Sequence, residues 1–341
     1  MARRRDVVRN SNKKQQVGSW KIMGIIISGI FIVCFIGIFM NLKVPKPEEK
    51  IVPQATKSIP TKNCHFASNK GRRPYQEDRI TCDLDLKIPF LGRKEVSIGV
   101  VAVFDGHIGE YASEMASKLF LEKFKFHLKN YHSHEFMDFL KSSLVKTIEE
   151  IDAEFSKIAI ERELYSGTTA VVALIYNNHV LVANVGDSKA FICSQNDQRG
   201  EFAGDLVKEL TRDHNALRLD ERDRIEASGG IFSRTINDIP LLNGHFPMTR
   251  AIGDVPLKKY GIIATPEVTD WINLTSKDEF LVVSSDGIFE SLSPQKVCDF
   301  LNKVEDYSDP SILAKDLILK AFLGGSRDNL SVVLVPLGSR V

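Results

Sequence analysis

Apolar runs that stop at a carboxylate are the feature that most restricts how this chain can fold. Val100-Val101-Ala102-Val103-Phe104 runs into Asp105-Gly106-His107. Val180-Leu181-Val182-Ala183 leads to Gly186-Asp187, and Phe280-Leu281-Val282-Val283 reaches Ser285-Asp286-Gly287. Asp328 instead precedes such a run, Val332-Val333-Leu334-Val335, and Gln76-Glu77-Asp78 and Ile252-Gly253-Asp254 repeat the theme. Asp-Gly alone is turn chemistry. Repetition changes its meaning, because strand ends that gather acids from across a chain build a cluster that repels itself unless cations occupy it. A sharp Asp-Gly turn offers the carboxylate and carbonyl oxygens that hard divalent cations take. His107 beside it is an acid or base near neutral pH.

The elements between these points divide into two kinds. Residues 96–104, 169–176, 179–185, 190–193, 280–284 and 332–335 are β-branched and bounded by turn formers, which predicts strands, with Asn177-Asn178 as a hairpin turn. Helical patterning covers 110–128, 135–163, 219–227, 294–304 and 310–322, the last opened by Asp309-Pro310. Strands alternating with helical pairs are compatible with an α+β fold, two packed and mainly antiparallel sheets flanked by helices, without fixing it.

Hydrophobic residues at 43% allow a substantial core, and a net charge of +1 argues against a nucleic-acid partner and against a nuclease groove. Cys34, Cys64, Cys82, Cys193 and Cys298 lie far apart, without disulfide-framework or zinc spacing, and read as free thiols of a reducing compartment. They also lack the Cys-x5-Arg loop of thiol phosphatases.

The start of the chain is different. Arg3, Arg4, Arg5, Arg9, Lys13, Lys14 and Lys21 precede residues 22–40, a stretch without charge that matches the bilayer core at about 1.5 Å of helix per residue. We read residues 1–21 as a basic arm and 22–40 as a single transmembrane anchor. Residues 41–63, with Pro45, Pro47, Pro53 and Pro60, form an extended linker, and 64–341 the catalytic domain.

From about Cys64 onward the sequence resembles the metal-dependent serine/threonine protein phosphatases of type 2C. The resemblance rests on Arg73-Pro-Tyr-Gln-Glu-Asp78, Val103-Phe-Asp-Gly-His107, Ser166-Gly-Thr-Thr-Ala170 and Ala183-Asn-Val-Gly-Asp-Ser188. It continues through Asp213-His214, Arg224-Ile-Glu-Ala-Ser-Gly-Gly230, Thr249-Arg-Ala-Ile-Gly-Asp254, Ser285-Asp-Gly-Ile-Phe-Glu290 and Ser326-Arg-Asp-Asn-Leu-Ser331. Each is weak alone, and together they stand in the family's order.

The resemblance implies an α-β-β-α sandwich with metals at one end of the sheets. It implies phosphoserine and phosphothreonine proteins as substrates, a monomeric catalytic domain, and two Mg²⁺ or Mn²⁺ ions that activate water. Asp105 would bridge the two ions with the Gly106 carbonyl completing one site, and Asp286 and Asp328 would ligate the second. Glu77 and Asp78 would act through water, and Asp187 and Asp254 would be supporting carboxylates, including for a third, weaker ion; both also read as capped turns. Arg73, favoured by spacing over Arg72, would bind phosphate, and His107 would protonate the leaving oxygen. Ser166–Ala170 reads as close packing beside the site, and Arg250 as a brace for the carboxylates. Residues 230–246 fall in the family's variable flap, which shapes substrate choice. Thr249, Phe289, Glu290 and Leu330 depart from the usual Ser, Trp, Asp and Met.

The competing reading is a catalytically silent, membrane-tethered relative serving as an adaptor or scaffold. It should lack one of Asp105, Asp286 or Asp328, and all three are present. Orientation is contested within the sequence. The basic arm favours a translocated catalytic domain, whereas unpaired cysteines and phosphoprotein substrates favour the cytosolic side. Asn273-Leu-Thr275 and Asn329-Leu-Ser331 are formal glycosylation sequons, the second inside the expected metal site. The balance at this level leans to a cytosolic catalytic domain.

Overall fold

The computed structural model describes residues 64–90, 94–129, 135–195, 206–303 and 309–337. The arm, the anchor and the linker up to residue 63 lie outside the described residues. Among those described, no helix is long and apolar enough to cross a membrane.

One sheet has the order β1 (His65–Asn69), β16 (Leu330–Pro336), β15 (Asp278–Ser284), β8 (Lys189–Ser194) and β9 (Val207–Glu209). The other runs β13 (Glu267–Val268), β7 (His179–Val185), β6 (Ala170–Tyr176), β3 (Lys94–Phe104) and β2 (Arg79–Phe90), with β14 (Ile272–Asn273) also paired to β7. Every strand pair is antiparallel. Two helices, α1 (Tyr111–Leu128) and α2 (Phe136–Arg162), cover the second sheet. The first is covered by α5 (Pro294–Asn302) and α6 (Pro310–Leu323). Between them in sequence come α3 (Leu219–Ala227) and the short α4 (Val255–Lys258).

Strand alternation explains the layers. On β3, Val101 and Val103 point between the sheets, where they meet Ile192, Leu281, Val283 and Val333. Val100, Ala102 and Phe104 point the other way, onto Phe120 and Phe124 of α1 and Leu144 and Ile148 of α2. Both faces are buried, so the strand reads as an unbroken apolar run rather than an alternating one. At roughly 1.5–3 kcal/mol per fully buried large apolar side chain, these shared layers dominate the fold's stability.

Antiparallel pairing also decides where the acids go. Arg79 of β2 lies opposite Phe104, and Ala170 opposite Val185, so Glu77, Asp78, Asp105 and Asp187 leave the second sheet at one end. Ser284 lies opposite Val332 and Asn69 opposite Leu330, which brings Asp286, Asp328 and the loop carrying Arg73 to one end of the first sheet. A small sheet, β12 (Ile252–Gly253), β5 (Gly167–Thr168) and β4 (Gly106–His107), ties His107 to the Asp254 segment through Gly167.

The five helices read from the sequence begin and end within two residues of the expected places, and α4 was not foreseen. Asp309 accepts from Ser311 N–H at 2.8 Å ahead of Pro310, and Ser293 caps α5 in the same way ahead of Pro294. Asn177 and Asn178 both take positive φ, 45° and 62°, as a two-residue hairpin turn requires. Several strands escape the periodicity reading. Among them are β1 and the long β2, whose alternation Leu84-Asp85-Leu86-Lys87-Ile88 is interrupted by a bulge between Asp83 and Leu86. Also unforeseen is the hairpin of β10 (Phe232–Ile236) and β11 (Ile239–Leu242).

The cysteines need correcting. Cys64 is bonded to Cys82, and Cys193 to Cys298, so the four cysteines of the described residues are all paired. The separations of 18 and 105 residues hide this from spacing rules. What pairs them is layering. Cys64, beside β1, meets Cys82 of β2 across the space between the sheets. Cys193 of β8 meets Cys298 of α5 across the strand–helix interface.

Candidate active site

Asp105 ends β3 with its backbone fixed on both sides. Its N–H donates to Thr169 Oγ1 at 3.1 Å, and its carbonyl accepts from Thr169 N–H and Thr168 Oγ1, both at 2.9 Å. The Asp286 N–H, arriving from the other sheet, points at Asp105 Oδ2 from 3.4 Å. Gly106 has to be glycine, since a Cβ there would fall 2.4 Å from the Glu77 carbonyl oxygen. Gly287 is equally confined, with the Asn329 carbonyl oxygen 2.0 Å from where a Cβ would stand.

Arg73, Asp105, Gly106, His107, Asp187, Asp286 and Asp328 line one cavity of about 260 Å³, together with Ile108, Thr169, His245, Phe246, Pro247 and Met248. Asp78 lies behind it, 2% exposed, with Oδ2 accepting from Ser285 Oγ at 2.9 Å and Oδ1 left without a partner. Glu77 faces the other way: its Oε1 accepts from Gly109 N–H at 2.7 Å and its N–H donates to Asn329 Oδ1 at 2.8 Å.

The electrostatics are those of a cluster needing positive charge. Burial pushes Asp105 and Asp286 well above the usual carboxylate range. Asp78, Asp286, Asp187 and Asp328 add to this around Asp105, and Asp187 and Asp328 around Asp286. Asp78 and Asp187 are both pushed up to about 6, chiefly by burial, with Asp328 also acting on the first and Asp213 on the second. Among the described residues no three His, Cys, Asp or Glu side chains already close on one point as a coordination sphere. The donor set nevertheless fits a hard divalent cation. It is all oxygen, it is mutually repulsive, and it includes one orphaned buried carboxylate oxygen. Asp105, Asp286, Asp328 and the Gly106 carbonyl would hold such ions.

His107 and Arg73 flank the acids. His107 Nε2 sits 2.7 Å from Asp254 Oδ2. Burial alone would lower the imidazole's pKa, but the Asp254 carboxylate outweighs it and the pKa is raised, which favours the charged, proton-bearing form. The Phe246 ring packs 5.4 Å from the His107 ring. Arg73 Nη2 donates to Asp328 Oδ2 at 2.8 Å, with the guanidinium still half exposed to the cavity mouth. A buried acid cluster between an imidazolium and a guanidinium suits an anionic substrate whose leaving group needs a proton.

A family model described as protein phosphatase 2C matches residues 63–330. The chain belongs to the protein phosphatase 2C family. It is 37% identical to "Probable protein phosphatase 2C 51" of Arabidopsis thaliana over 82% of this chain and 72% of that one. Protein phosphatase 1L of Bos taurus is 30% identical over 80% and 72% of the two chains. Among solved structures, the serine-threonine phosphatase 2C from Toxoplasma gondii shares the fold at a TM-score of 0.64, over 80% of this chain and 93% of that one, at 21% identity. This phosphatase is therefore an enzyme, a protein serine/threonine phosphatase.

Three expectations for individual residues shift. Asp254, expected as a supporting carboxylate, does not line the cavity; β12 and β5 carry it to His107 instead. Arg250 does not brace the carboxylate cluster. Its guanidinium donates to Glu221 Oε1 at 2.6 Å and to the Thr265 carbonyl at 2.8 Å, binding α3 to the following loop. Thr169 does more than pack, since it both fixes Asp105 and lines the cavity. Phe246, at the end of the stretch read as the flap, and His245 beside it form the wall of the cavity, and Pro247 and Met248 extend that wall past it. No charge or spacing signal marks them, and only their position before the Thr249-Arg-Ala-Ile-Gly-Asp254 motif does.

Proposed function

We propose that this phosphatase hydrolyses phosphoserine and phosphothreonine in proteins by direct attack of water, dependent on Mg²⁺ or Mn²⁺. Two such ions, when bound by Asp105, Gly106, Asp286 and Asp328, would polarise the phosphoryl group and make water nucleophilic near neutral pH. Arg73 releases Asp328 and takes two phosphate oxygens in its planar fork. His107, held by Asp254, gives its proton to the serine or threonine oxygen as the phosphorus–oxygen bond breaks. Glu77 and Asp78 stand behind the acids, Glu77 through Gly109 and Asn329, and Asp78 through Ser285. Asp187 opens onto the same cavity as a supporting carboxylate for a further, weaker ion.

One observation carries the reading: Arg73, His107 and four repelling carboxylates from both sheets share a single cavity. Residues 22–40 would tether a monomeric enzyme to a membrane, with the linker holding it off the surface. The test is release of phosphate from a phosphothreonine peptide by the full chain in detergent, with Mn²⁺ supplied or chelated. Activity should appear with the metal and vanish under chelation. Turnover that persists through thorough chelation, or none at any metal concentration, would sink the proposal.

A further inference from the structure

We infer that the catalytic domain matures in an oxidising, glycosylating compartment and that Asn273 is an N-glycosylation site. The lean towards a cytosolic domain rested on free thiols and on phosphoprotein substrates, and the structure removes the first of these supports. Both described pairs, Cys64–Cys82 and Cys193–Cys298, bridge separate layers of the sandwich. Disulfides that join layers belong to secreted and lumenal proteins, whereas cytosolic thiols are kept reduced. Each bridge forms when two thiols give two protons and two electrons to a disulfide-bearing oxidase, which is itself reduced to a dithiol.

The two sequons part company in the fold. Asn329 is 3% exposed, and its amide is fully used. Nδ2 donates to the Lys70 and Tyr75 carbonyls, both at 2.9 Å, while Oδ1 accepts from Glu77 N–H at 2.8 Å. A sugar on Nδ2 would replace one of those hydrogens and break the loop that carries Arg73. Asn273 is exposed on β14, with Leu274 buried and Thr275 exposed beside it. It pairs with His179 at the start of β7, the end opposite Asp187. The seven residues of β7, at about 3.3 Å per step, set it roughly 20 Å from the end of the strand that leads to Asp187. A glycan there leaves the cavity open.

Charge around residues 22–40 points the same way. Seven Lys and Arg precede that stretch, against Lys43, Lys46, Lys50 and Lys57 in the following twenty residues. The more basic side stays in the cytosol, so the domain beyond crosses. In the glycosylation step Asn273 Nδ2 attacks the anomeric carbon of a polyprenyl-pyrophosphate-linked oligosaccharide. An N–C bond forms, the C–O bond to pyrophosphate breaks, and Nδ2 loses one proton.

The full chain is made in a eukaryotic cell line. Its glycans are removed by peptide N-glycosidase in heavy-oxygen water, and its thiols are counted with maleimide after denaturation without reductant. The expected result is a labelled aspartate at position 273 only, a mobility shift abolished by Asn273→Gln, and one reactive thiol, Cys34, out of five. An unmodified Asn273, or a glycan on Asn329 of the folded enzyme, overturns the site assignment. Five reactive thiols overturn the compartment. Phosphopeptide hydrolysis by the same preparation is read separately, so neither failure is confused with loss of the phosphatase reading.

Discussion

Arg73 and Asp328 are bound to each other: Nη2 of the guanidinium donates to Oδ2 of the carboxylate at 2.8 Å. Burial works against the Arg73 charge, and Asp328 more than restores it. In the proposed reaction both groups have other work, one on phosphate and the other on a cation. The ion pair is thus a closed form of the cavity that both ligands must open, an anion drawing on one partner and a cation on the other.

Replacing Arg73 with Ala should therefore have opposite effects on the two ligands. A charge-assisted hydrogen bond is worth about 1.5–3 kcal/mol, so KM for a phosphothreonine peptide should rise roughly 10- to 100-fold. Metal affinity, measured by calorimetry, should hold or tighten because Asp328 is released. An unchanged KM would show that Arg73 does not hold phosphate. Arg73→Lys should recover only part of the loss, since an ammonium lacks the fork.

Asp286→Asn and Asp328→Asn should each remove most turnover and weaken metal binding while leaving the domain folded. Burial and neighbouring acids already push Asp286 well above the usual carboxylate range, so losing its charge relieves repulsion. Thermal melting in chelator should show Asp286→Asn equal to or more stable than the native chain. Near-normal metal affinity in either variant would mean that the ligand assignment is wrong.

The acid cluster was legible in the sequence because antiparallel strands with buried faces announce their ends. The run to Phe104 stops at Asp105, the run to Ser284 stops two residues before Asp286, and the stacking of the two sheets then brings both to one cavity. The layered sandwich came from the family resemblance, since strands alternating with helical pairs are compatible with more than one layer order. The disulfides were not legible, because Cys193 and Cys298 meet only through the packing of α5 on β8, which no spacing rule encodes. Nor was the partnership of His107 with Asp254. It depends on three two-residue strands meeting at Gly167, too short to leave a periodic signal. The wall of the cavity at Phe246 was hidden because an aromatic residue near a flap looks like any core residue until its ring is seen against His107.

His107→Gln should cost about 10²–10⁴ in rate on a phosphothreonine peptide, the usual loss of a general acid. On p-nitrophenyl phosphate, whose leaving group needs little protonation, the defect should be much smaller. Asp254→Asn should reproduce that leaving-group dependence more weakly, because it acts through the imidazole and touches no substrate. Equal defects of His107→Gln on both substrates would assign the residue to structure or metal binding instead.

His214 should make stability depend on pH. It is fully buried, with Nδ1 3.1 Å from both the nitrogen and the oxygen of Gly186 and Nε2 3.2 Å from Glu267 Oε2. Burial first, then Arg250 and Arg218, lower its pKa to about 4, against the opposing pull of Glu221 and Glu267. The unfolded chain, with an ordinary imidazole near 6.5, binds the proton first on acidification. The contribution is therefore complete above about pH 6.5, is lost as pH falls towards 4, and changes no further below that. At about 1.4 kcal/mol per pH unit the loss amounts to roughly 3–4 kcal/mol. Asp78 and Asp187, raised to about 6, work in the opposite direction over part of the same range. The measurement is therefore the difference in urea stability between the native chain and His214→Gln, followed from pH 7.5 to 4.5. That difference should shrink steadily as pH falls. A difference that stays constant would mean that His214 is not held neutral by its surroundings.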